Sequence, residues 1–219
     1  VHTSRWGSVD FRSRRSSAAP QRGQKRKSST TQYNFSIMSI LKVAHMGHPV
    51  LRAKARPLSP GDIKHPALQN LIDDMMDTMA EYHGVGLAAP QIHESVRLFV
   101  GILESAKPEA GPGSNDAPDP EPIAILNPEI TPIGNDVVED WEGCLSIPDI
   151  RGKVPRAREI RLRGFGRDGS RLDLMLKDFP ARVAQHEADH LDGVLFFDRM
   201  RTFESLTFLD EYSRYHAKD

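Results

Sequence analysis

Two histidines four residues apart carry the clearest chemical signal in the sequence, within the segment His186-Glu187-Ala188-Asp189-His190. On a helix, positions i and i+4 lie on one face, so both imidazoles can bind one metal ion, and the carboxylate of Glu187 can act on a water molecule at that ion. The segment is flanked by apolar residues, namely Val183, Leu191 and Val194. The pattern therefore predicts a metal site on a partly buried helix face.

Two histidines need a third protein ligand to complete a zinc-like site. A metzincin-type site requires a histidine after Gly193, but three apolar residues follow that glycine, which excludes this class. A thermolysin-like site takes a downstream glutamate, which Glu204 or Glu211 could supply. The remaining candidate is Cys144, because a thiolate is a strong ligand for ions of intermediate softness.

Cys144 is the only cysteine of the chain, which excludes an intramolecular disulfide framework and suits a reducing compartment. A lone cysteine is most often a small core residue. Here Gly143 opens the backbone beside it, and the nearby Glu142 and Ser146 argue against a purely apolar pocket. A nucleophilic cysteine paired with a histidine is the alternative, and the two roles compete for one thiolate.

A third segment reads Gly84-Val85-Gly86-Leu87-Ala88-Ala89-Pro90-Gln91. Its two leading glycines allow the backbone to come close to a ligand. It has neither the third glycine nor the lysine of a phosphate-binding loop, which argues against nucleotide binding. Gln91 offers a neutral amide donor. Taken by itself, the segment is typical of a tight turn.

Together, the three segments resemble the peptide deformylases. That family is marked, in this order, by Gly-x-Gly-Leu-Ala-Ala-x-Gln, Glu-Gly-Cys-Leu-Ser and His-Glu-x-x-His. Each motif is complete here, at residues 84–91, 142–146 and 186–190, and the resemblance extends from about Ile40 to Met200. Three complete motifs in the same order are highly specific.

The resemblance implies the ligand set and the metal. Cys144, His186 and His190 would hold one divalent ion and leave a fourth position for water. The usual native ion of the family is Fe2+, with Zn2+ or Ni2+ as substitutes, and cysteine and histidine ligands also suit zinc.

The resemblance further implies the reaction, which removes the formyl group from the N-terminal formyl-methionine of newly made polypeptides and releases formate. The metal-bound water attacks the formyl carbonyl with Glu187 as general acid and base. The amide of Gln91 and the backbone N–H of Leu145 occupy the positions that would stabilise negative charge on the formyl oxygen.

The same resemblance implies how the substrate is bound. Val85 and Val183 are expected to form walls of an apolar pocket for the methionine side chain, and Gly86 is expected to leave room only for an acyl group as small as formyl. Arg182 stands where the family often has an apolar residue. The runner-up interpretations are a thermolysin-like peptidase that uses Glu211 and a non-catalytic, metal-stabilised binding protein.

The expected partners follow from this substrate: nascent formyl-methionyl peptides and, transiently, the ribosome. A membrane is not an expected partner, because no apolar run approaches the ~18 residues of a spanning helix. DNA is not an expected partner either. The chain is expected to be monomeric. The reaction belongs in the bacterial cytoplasm, or in a mitochondrion or plastid if residues 1–37 are a transit peptide.

Helical periodicity predicts elements near both ends of the catalytic region. One helix is expected to begin at Pro66 and to end near Gly84, and a second to run from Pro180 to about Gly193. A third is expected over residues 203–215, with its apolar side formed by Leu206, Leu209 and Tyr212. The resemblance implies an α+β fold in which antiparallel strands pack around a central metal-binding helix, with an N-terminal and a C-terminal helix.

Sequence patterns typical of β-strands occur in the middle of the chain. Strands are expected over residues 97–103 and over residues 123–126, the latter closed by Asn127-Pro128. Alternating residues 160–163 and 172–176, on either side of Arg167-Asp168-Gly169, predict a hairpin. Residues 104–122 are rich in Pro, Gly, Ala and Asp, which predicts a flexible surface insertion.

Charge separates the first residues from the rest of the chain. The 219 residues carry a formal net charge of −1. Residues 1–37 hold eight basic side chains and one acidic one, so this part is +7 and the remainder is −8. Low apolar content predicts that residues 1–37 are a disordered extension, whether a tag, upstream sequence, a transit peptide or an RNA-binding arm. Residues 38–219 are predicted to form the catalytic domain, and a protein that starts at Met38 is expected to retain activity.

Overall fold

Two antiparallel sheets pack against one helix in the part of the chain that the structure, a computed structural model, describes: residues 39–103 and 121–217. The strands of the larger sheet, in spatial order, are β1 (Gly86–Ala88), β2 (Leu98–Gly101), β3 (Ile123–Pro132), β6 (Glu159–Phe165) and β7 (Arg171–Lys177). The smaller sheet has the order β4 (Val137–Cys144), β5 (Ile147–Ala157) and β8 (Thr207–Phe208).

Four α-helices occur in the described residues: α1 (Pro60–Ile63), α2 (Pro66–Glu81), α3 (Asp178–Leu191) and α4 (Leu209–Tyr215). Helix α3 contacts strands of both sheets, so it occupies the central position that the α+β prediction assigns to the helix with the paired histidines. The predicted α+β class is therefore confirmed. Within the described ranges, no helix combines the length and apolar composition that a bilayer crossing requires.

Helix α2 begins and ends close to the predicted residues. The side chain of His65 accepts a hydrogen bond from the backbone N–H of Ala67, which caps the first turn, and Pro66 occupies the first helical position, where its missing N–H costs nothing. One stripe of the helix is buried, formed by Leu68, Ile72, Met75 and Met79. This stripe packs against residues of β2, which places the end of α2 directly before strand β1.

Helix α3 runs from Asp178 to Leu191, two residues earlier than predicted at its start. It ends before Gly193, which has a φ of 73°. A Cβ at this glycine would also lie 2.7 Å from the carbonyl oxygen of Arg52. Both the left-handed backbone and the close approach require glycine here, so the chain turns away from the helix at Gly193, three residues after His190.

The C-terminal helix is shorter than predicted, because residues 203–208 are not helical. Thr207 and Phe208 instead form β8, which pairs with Arg151 and Ile150 of β5. Leu206 is exposed rather than inward-facing. Cross-strand pairing available only in the folded chain therefore outweighs the helical spacing of the apolar residues.

Strand β3 continues through Asn127-Pro128, where the sequence predicts its end. The register shifts between Leu126 and Glu129, and Asn127 has a φ of 49°. A bulge of this kind accommodates the proline without ending the strand. The side chain of Asn127 exchanges two 2.8 Å hydrogen bonds with the backbone of Leu58, which stabilises the bulge.

The hairpin predicted around Arg167-Asp168-Gly169 is present as β6 and β7. The hairpin of β4 and β5 is absent from the sequence-based prediction, although it carries Cys144. The predicted extension 1–37 lies outside the described residues, and so does the predicted insertion 104–122 except for its last two residues.

Candidate functional site

Three potential metal ligands come together where helix α3 faces the end of strand β4. The ligand atoms of Cys144, His186 and His190 all lie within 4.8 Å of one another, and the three residues are buried. The Sγ of Cys144 is 3.2 Å from Nε2 of His190. No other group of three possible ligands of this kind occurs within residues 39–103 and 121–217.

This donor set suits a divalent ion of intermediate softness, because it combines one thiol with two imidazoles. Burial alone would raise the pKa of the Cys144 thiol, but the neighbouring charge of His190 and hydrogen bonds from both imidazoles hold it well below its usual range. Burial would likewise lower the pKa of His186, yet hydrogen bonds to Cys144 and Glu142 hold it well above its usual range. The site thus favours the thiolate, which is the form that binds metal ions.

The proposed glutamate ligands of a peptidase-type site are not part of this cluster. Glu211 lies on α4, where its carboxylate is 2.6 Å from Nη1 of Arg214, and the side chain is 41% exposed. Glu204 is also exposed. Of the third ligands that the sequence leaves open, Cys144 is therefore the one that the fold brings to the two histidines.

Glu187 lies beside the cluster with one carboxylate oxygen unpaired. It is 4% exposed, and its Oε2 is buried without a hydrogen-bond partner in the described part of the chain. Burial raises the pKa of Glu187 to about 7. A buried carboxyl with a free oxygen and a pKa near neutrality is equipped to take up and release a proton.

Gln91 points its amide nitrogen at the cluster. Its Oε1 accepts a 2.8 Å hydrogen bond from the backbone N–H of Ala88, which can only donate, and this fixes which end of the amide faces which way. Its Nε2 consequently lies 3.5 Å from Sγ of Cys144 and 3.3 Å from Oγ of Ser146. The segment of residues 84–91 is not only a turn, since it forms strand β1 and the 3-10 helix that carries Gln91.

A cavity of about 550 Å3 opens onto the cluster. Cys144, His186 and Glu187 line it, as do Gln91 and Leu145. The three residues predicted to bind substrate, Val85, Gly86 and Val183, also line it. Aromatic side chains complete the walls, among them Tyr82, Trp141 and Phe179. The cavity thus brings every catalytic and substrate-binding residue predicted from the sequence to one surface.

A network of buried charges supports the cluster, and the sequence-based prediction missed it. Glu142 accepts hydrogen bonds from Nδ1 of His186 at 2.9 Å, from Nε and Nη2 of Arg156 at 2.9 and 3.0 Å, and from Nη1 of Arg182 at 2.7 Å. Burial would raise the pKa of Glu142, but the hydrogen bonds from His186 and Arg156 hold it well below its usual range. The carboxylate is therefore the acceptor, and Nδ1 of His186 donates.

The network continues to the helix turn that bears the second histidine. Arg156 also donates to Asp189, which in turn accepts hydrogen bonds from Nε and Nη2 of Arg199 at 3.1 and 2.7 Å. Glu142, Arg156 and Asp189 are all buried. The sequence does show these charged residues next to apolar ones, which hints that they are buried. It does not show which charges pair, because the pairing depends on the fold.

Comparison with known proteins gives a consistent result. A family model described as polypeptide deformylase matches residues 40–205. A peptide deformylase 2 from Nostoc sp. is 41% identical over 180 residues, covering 82% of this chain and 97% of that protein. A Met-Ala-Ser-bound class I type b peptide deformylase from Acinetobacter baumannii has a TM-score of 0.66 and 36% identity, covering 75% of this chain and 100% of that one. A peptide deformylase from Thermotoga maritima has a TM-score of 0.64 and 36% identity, over 75% and 99%.

Proposed function

The chain belongs to the polypeptide deformylase family, and we propose that it removes the formyl group from the N-terminal formyl-methionine of newly made polypeptides by metal-dependent hydrolysis. It is a hydrolase of N-formyl groups by its family membership. The observation that carries the mechanism is the convergence of Cys144, His186 and His190 on one point beside Glu187 and an open cavity.

Cys144, His186 and His190 would hold the ion, which we propose to be Fe2+ in the native protein, with Zn2+ or Ni2+ as substitutes. When bound, a divalent ion supplies an activated water and a Lewis acid for the formyl oxygen. The lowered pKa of Cys144 supports this assignment, because a ligand must be deprotonated before it can bind. The two imidazoles lie one turn apart on α3, so a single rigid element would supply two of the three ligands.

Glu187 would transfer the proton. Its carboxylate takes a proton from the attacking water and delivers it to the departing amine, so that the free N-terminus leaves as a neutral amine and the acyl group as formic acid, which then releases its remaining proton to give formate. The unpaired Oε2 supports this role, because no described residue competes for it. Burial raises the pKa of Glu187 to about 7. A carboxyl whose pKa lies near the working pH can both accept a proton from water and donate one to the amine efficiently.

Gln91 and Leu145 would stabilise the negative charge that develops on the formyl oxygen. The amide of Gln91 is oriented in advance by the backbone N–H of Ala88, so its Nε2 donor faces the cluster. The backbone N–H of Leu145 follows Cys144 directly in the chain and is proposed as the second donor. Loss of one such donor typically raises the barrier by about 3 kcal/mol.

The cavity would select a small acyl group and an apolar side chain. Val85 and Val183 line it and would offer apolar contacts to methionine. Gly86 lies so close to Glu187 that a Cβ would collide with its carboxylate, and this close approach supports a site for an acyl group as small as formyl. The relative from Acinetobacter baumannii was solved with Met-Ala-Ser bound. This relative is 36% identical to the present chain, and its bound peptide begins with methionine. The same substrate class is therefore supported here.

The substrate also determines the compartment in which the protein would act and the partner that it would contact. Nascent chains that begin with formyl-methionine are made on bacterial ribosomes and on those of mitochondria and plastids. We propose a transient encounter with such a ribosome by a monomeric protein, in the bacterial cytoplasm or in one of these organelles. Sedimentation with and without purified ribosomes measures both the oligomeric state and the encounter.

The decisive experiment is the release of formate from a formyl-Met peptide by iron-loaded protein, under anaerobic conditions. The matched control is the acetyl-Met peptide, whose extra methyl group would collide near Gly86. We expect formate from the first substrate and at most trace hydrolysis of the second. Absence of formate from the iron-loaded protein contradicts the proposed function, and equal hydrolysis of the two peptides contradicts the size selection.

A further inference from the structure

Arg182 is a buried arginine beside the cluster of Cys144, His186 and His190. It lies on α3, four residues before His186, so the two side chains share one face of the helix. The residue is 7% exposed. Burying an arginine destabilises the folded state unless its N–H donors form hydrogen bonds. The acceptors of Arg182 therefore indicate its role.

The guanidinium of Arg182 binds both strands of the β4–β5 hairpin, which carries Cys144 at the end of β4. Its Nη2 donates to the carbonyl oxygen of Val138 on β4 at 2.7 Å, and its Nη1 donates to that of Val154 on β5 at 2.8 Å. Nη1 also donates to Oε1 of Glu142 at 2.7 Å. One side chain of the histidine-bearing helix therefore contacts both strands of the cysteine-bearing hairpin.

The contact with Glu142 extends this clamp to a metal ligand. Oε1 of Glu142 faces Arg182, while Oε2 accepts the hydrogen bond from Nδ1 of His186. Arg182 thus holds the carboxylate that fixes the orientation of the His186 ring. Arg156 binds the same carboxylate but lies on β5, within the hairpin itself, and its link to the helix is the separate hydrogen bond to Asp189. Only Arg182 joins the helix to Glu142 and to the backbone of both strands.

The side chain also lines the cavity. Because its guanidinium is engaged with the hairpin, the part that remains to face the cavity is the alkyl stem, which is apolar. The arginine is therefore compatible with a pocket for methionine, although its charge alone would argue against one.

We propose that Arg182 is a positioning residue that fastens the cysteine-bearing hairpin to the histidine-bearing helix and orients His186, so that the three ligands are assembled before an ion binds. The proposal rests on the proposed function in taking Cys144, His186 and His190 as the ligands. It goes beyond that function by assigning the preorganisation of the site to a residue that contacts neither the ion nor the substrate's reacting atoms.

The test compares metal affinity in Arg182→Met, Arg182→Lys and the control Arg161→Met. Methionine keeps an apolar stem, lysine keeps one charge but cannot reach both strands and Glu142, and Arg161 pairs with Asp173 on the exposed surface of the larger sheet. Co2+ affinity is measured by competition with a chelator, and the thiolate-to-Co2+ absorption band reports ligand geometry. We expect Co2+ to bind about 10–100-fold more weakly to Arg182→Met, with a shifted band, and less weakly to Arg182→Lys, whereas the control matches the wild type.

Kinetics at saturating metal separate positioning from substrate binding. We expect Arg182→Met to lower kcat while the KM for a formyl-Met peptide stays within about twofold of the wild type, because the apolar stem at the cavity is retained. Wild-type Co2+ affinity and an unshifted band in Arg182→Met would overturn the proposal. If that variant does not fold, Arg182→Lys decides: weakened Co2+ binding supports the clamp, and wild-type binding refutes it. A wild-type protein that binds no ion would overturn the proposed function and this inference with it.

Discussion

The Cα of Gly86 lies directly against the carboxylate of Glu187. A Cβ at residue 86 would overlap Oε1 of Glu187 and lie 2.8 Å from its carboxyl carbon. Strand β1 and helix α3 can therefore approach one another at this point only because residue 86 has no side chain. The closeness matters for chemistry, since the displaced group would be the proposed proton carrier.

Replacing this glycine tests the contact. In Gly86→Ala, we expect kcat/KM for a formyl-Met peptide to fall by about 10²-fold, because a misplacement of a catalytic group by 1 Å can have an effect of that size. Metal content should stay unchanged. The matched control is Gly61→Ala on α1, where the nearest atom to the new methyl group is Oγ of Ser59 at 3.7 Å. Equal activity of the two variants would show that Glu187 tolerates displacement.

The third ligand is tested by removing each candidate in turn. We expect Cys144→Ala to lose both its metal ion and its activity, because the buried set is left with two imidazoles. Glu211→Ala should retain both nearly in full, since Glu211 pairs with Arg214 at the surface. Metal content is measured by elemental analysis after gel filtration. The opposite pattern would indicate a peptidase-type site.

The proton-transfer role of Glu187 is separable from metal binding. Glu187→Gln keeps the size of the side chain and removes its basicity. We expect the variant to retain its ion while kcat falls by about 10²–10⁴-fold, the usual contribution of a positioned acid or base. Parallel measurement of metal content and formate release checks this. Full turnover in a metal-loaded Glu187→Gln protein would exclude the role.

The same substitution should reveal the energetic cost of burying this carboxyl in the metal-free protein. Burial raises the pKa of Glu187 from 4.5 to about 7, so the folded state binds its proton more tightly than the unfolded state does. The contribution of protonated Glu187 to the free energy of unfolding is fully present below pH 4.5 and is lost as the pH rises through 7. Glu187→Gln has no such loss.

We therefore expect metal-free Glu187→Gln to gain stability over the wild type as the pH rises. The gain should increase by at most about 1.4 kcal/mol per pH unit and level off above pH 7. Denaturant unfolding of both proteins at several pH values, in the presence of a chelator, measures the difference. A difference that does not vary with pH would contradict the raised pKa.

Gln91 can be tested with a change that preserves its shape. Gln91→Glu retains an oxygen to accept from the N–H of Ala88 but replaces the Nε2 donor with a second oxygen. We expect kcat to fall by about 10²–10³-fold, the typical effect of losing one donor to a developing oxyanion. Gln69→Glu, near the surface between Ile63 and Arg167, is the control. Unchanged kcat in Gln91→Glu would remove Gln91 from the proposed mechanism.

Local spacing accounts for the parts of the structure that were predicted correctly. Helix α2, the hairpin of β6 and β7, and the i, i+4 pair His186 and His190 all depend on residues close in sequence. Prediction failed where a distant partner decided the outcome. The spacing of apolar residues predicts a helix over residues 203–208, but β5 offers Thr207 and Phe208 a strand partner. Asn127 likewise stabilises a bulge through its hydrogen bonds with Leu58.

The amino-acid sequence was sufficient to name the family and every residue proposed for catalysis, because those residues lie in three short motifs that resemble those of the family. The third ligand was different. Cys144 and Glu211 remained alternatives on the residues alone, since neither is near His186 in the chain, and only the packing of the β4–β5 hairpin on α3 brings Cys144 to the histidines.

The supporting charges belong wholly to the tertiary structure. Arg182 and Glu142 are separated by 40 residues, and nothing in either local segment indicates that they pair. Burial makes the pairing necessary, because an ionised side chain removed from water is stable only beside an opposite charge or hydrogen-bond partners. Which partner satisfies it depends on which strands the helix packs against, and that is a property of the folded chain alone.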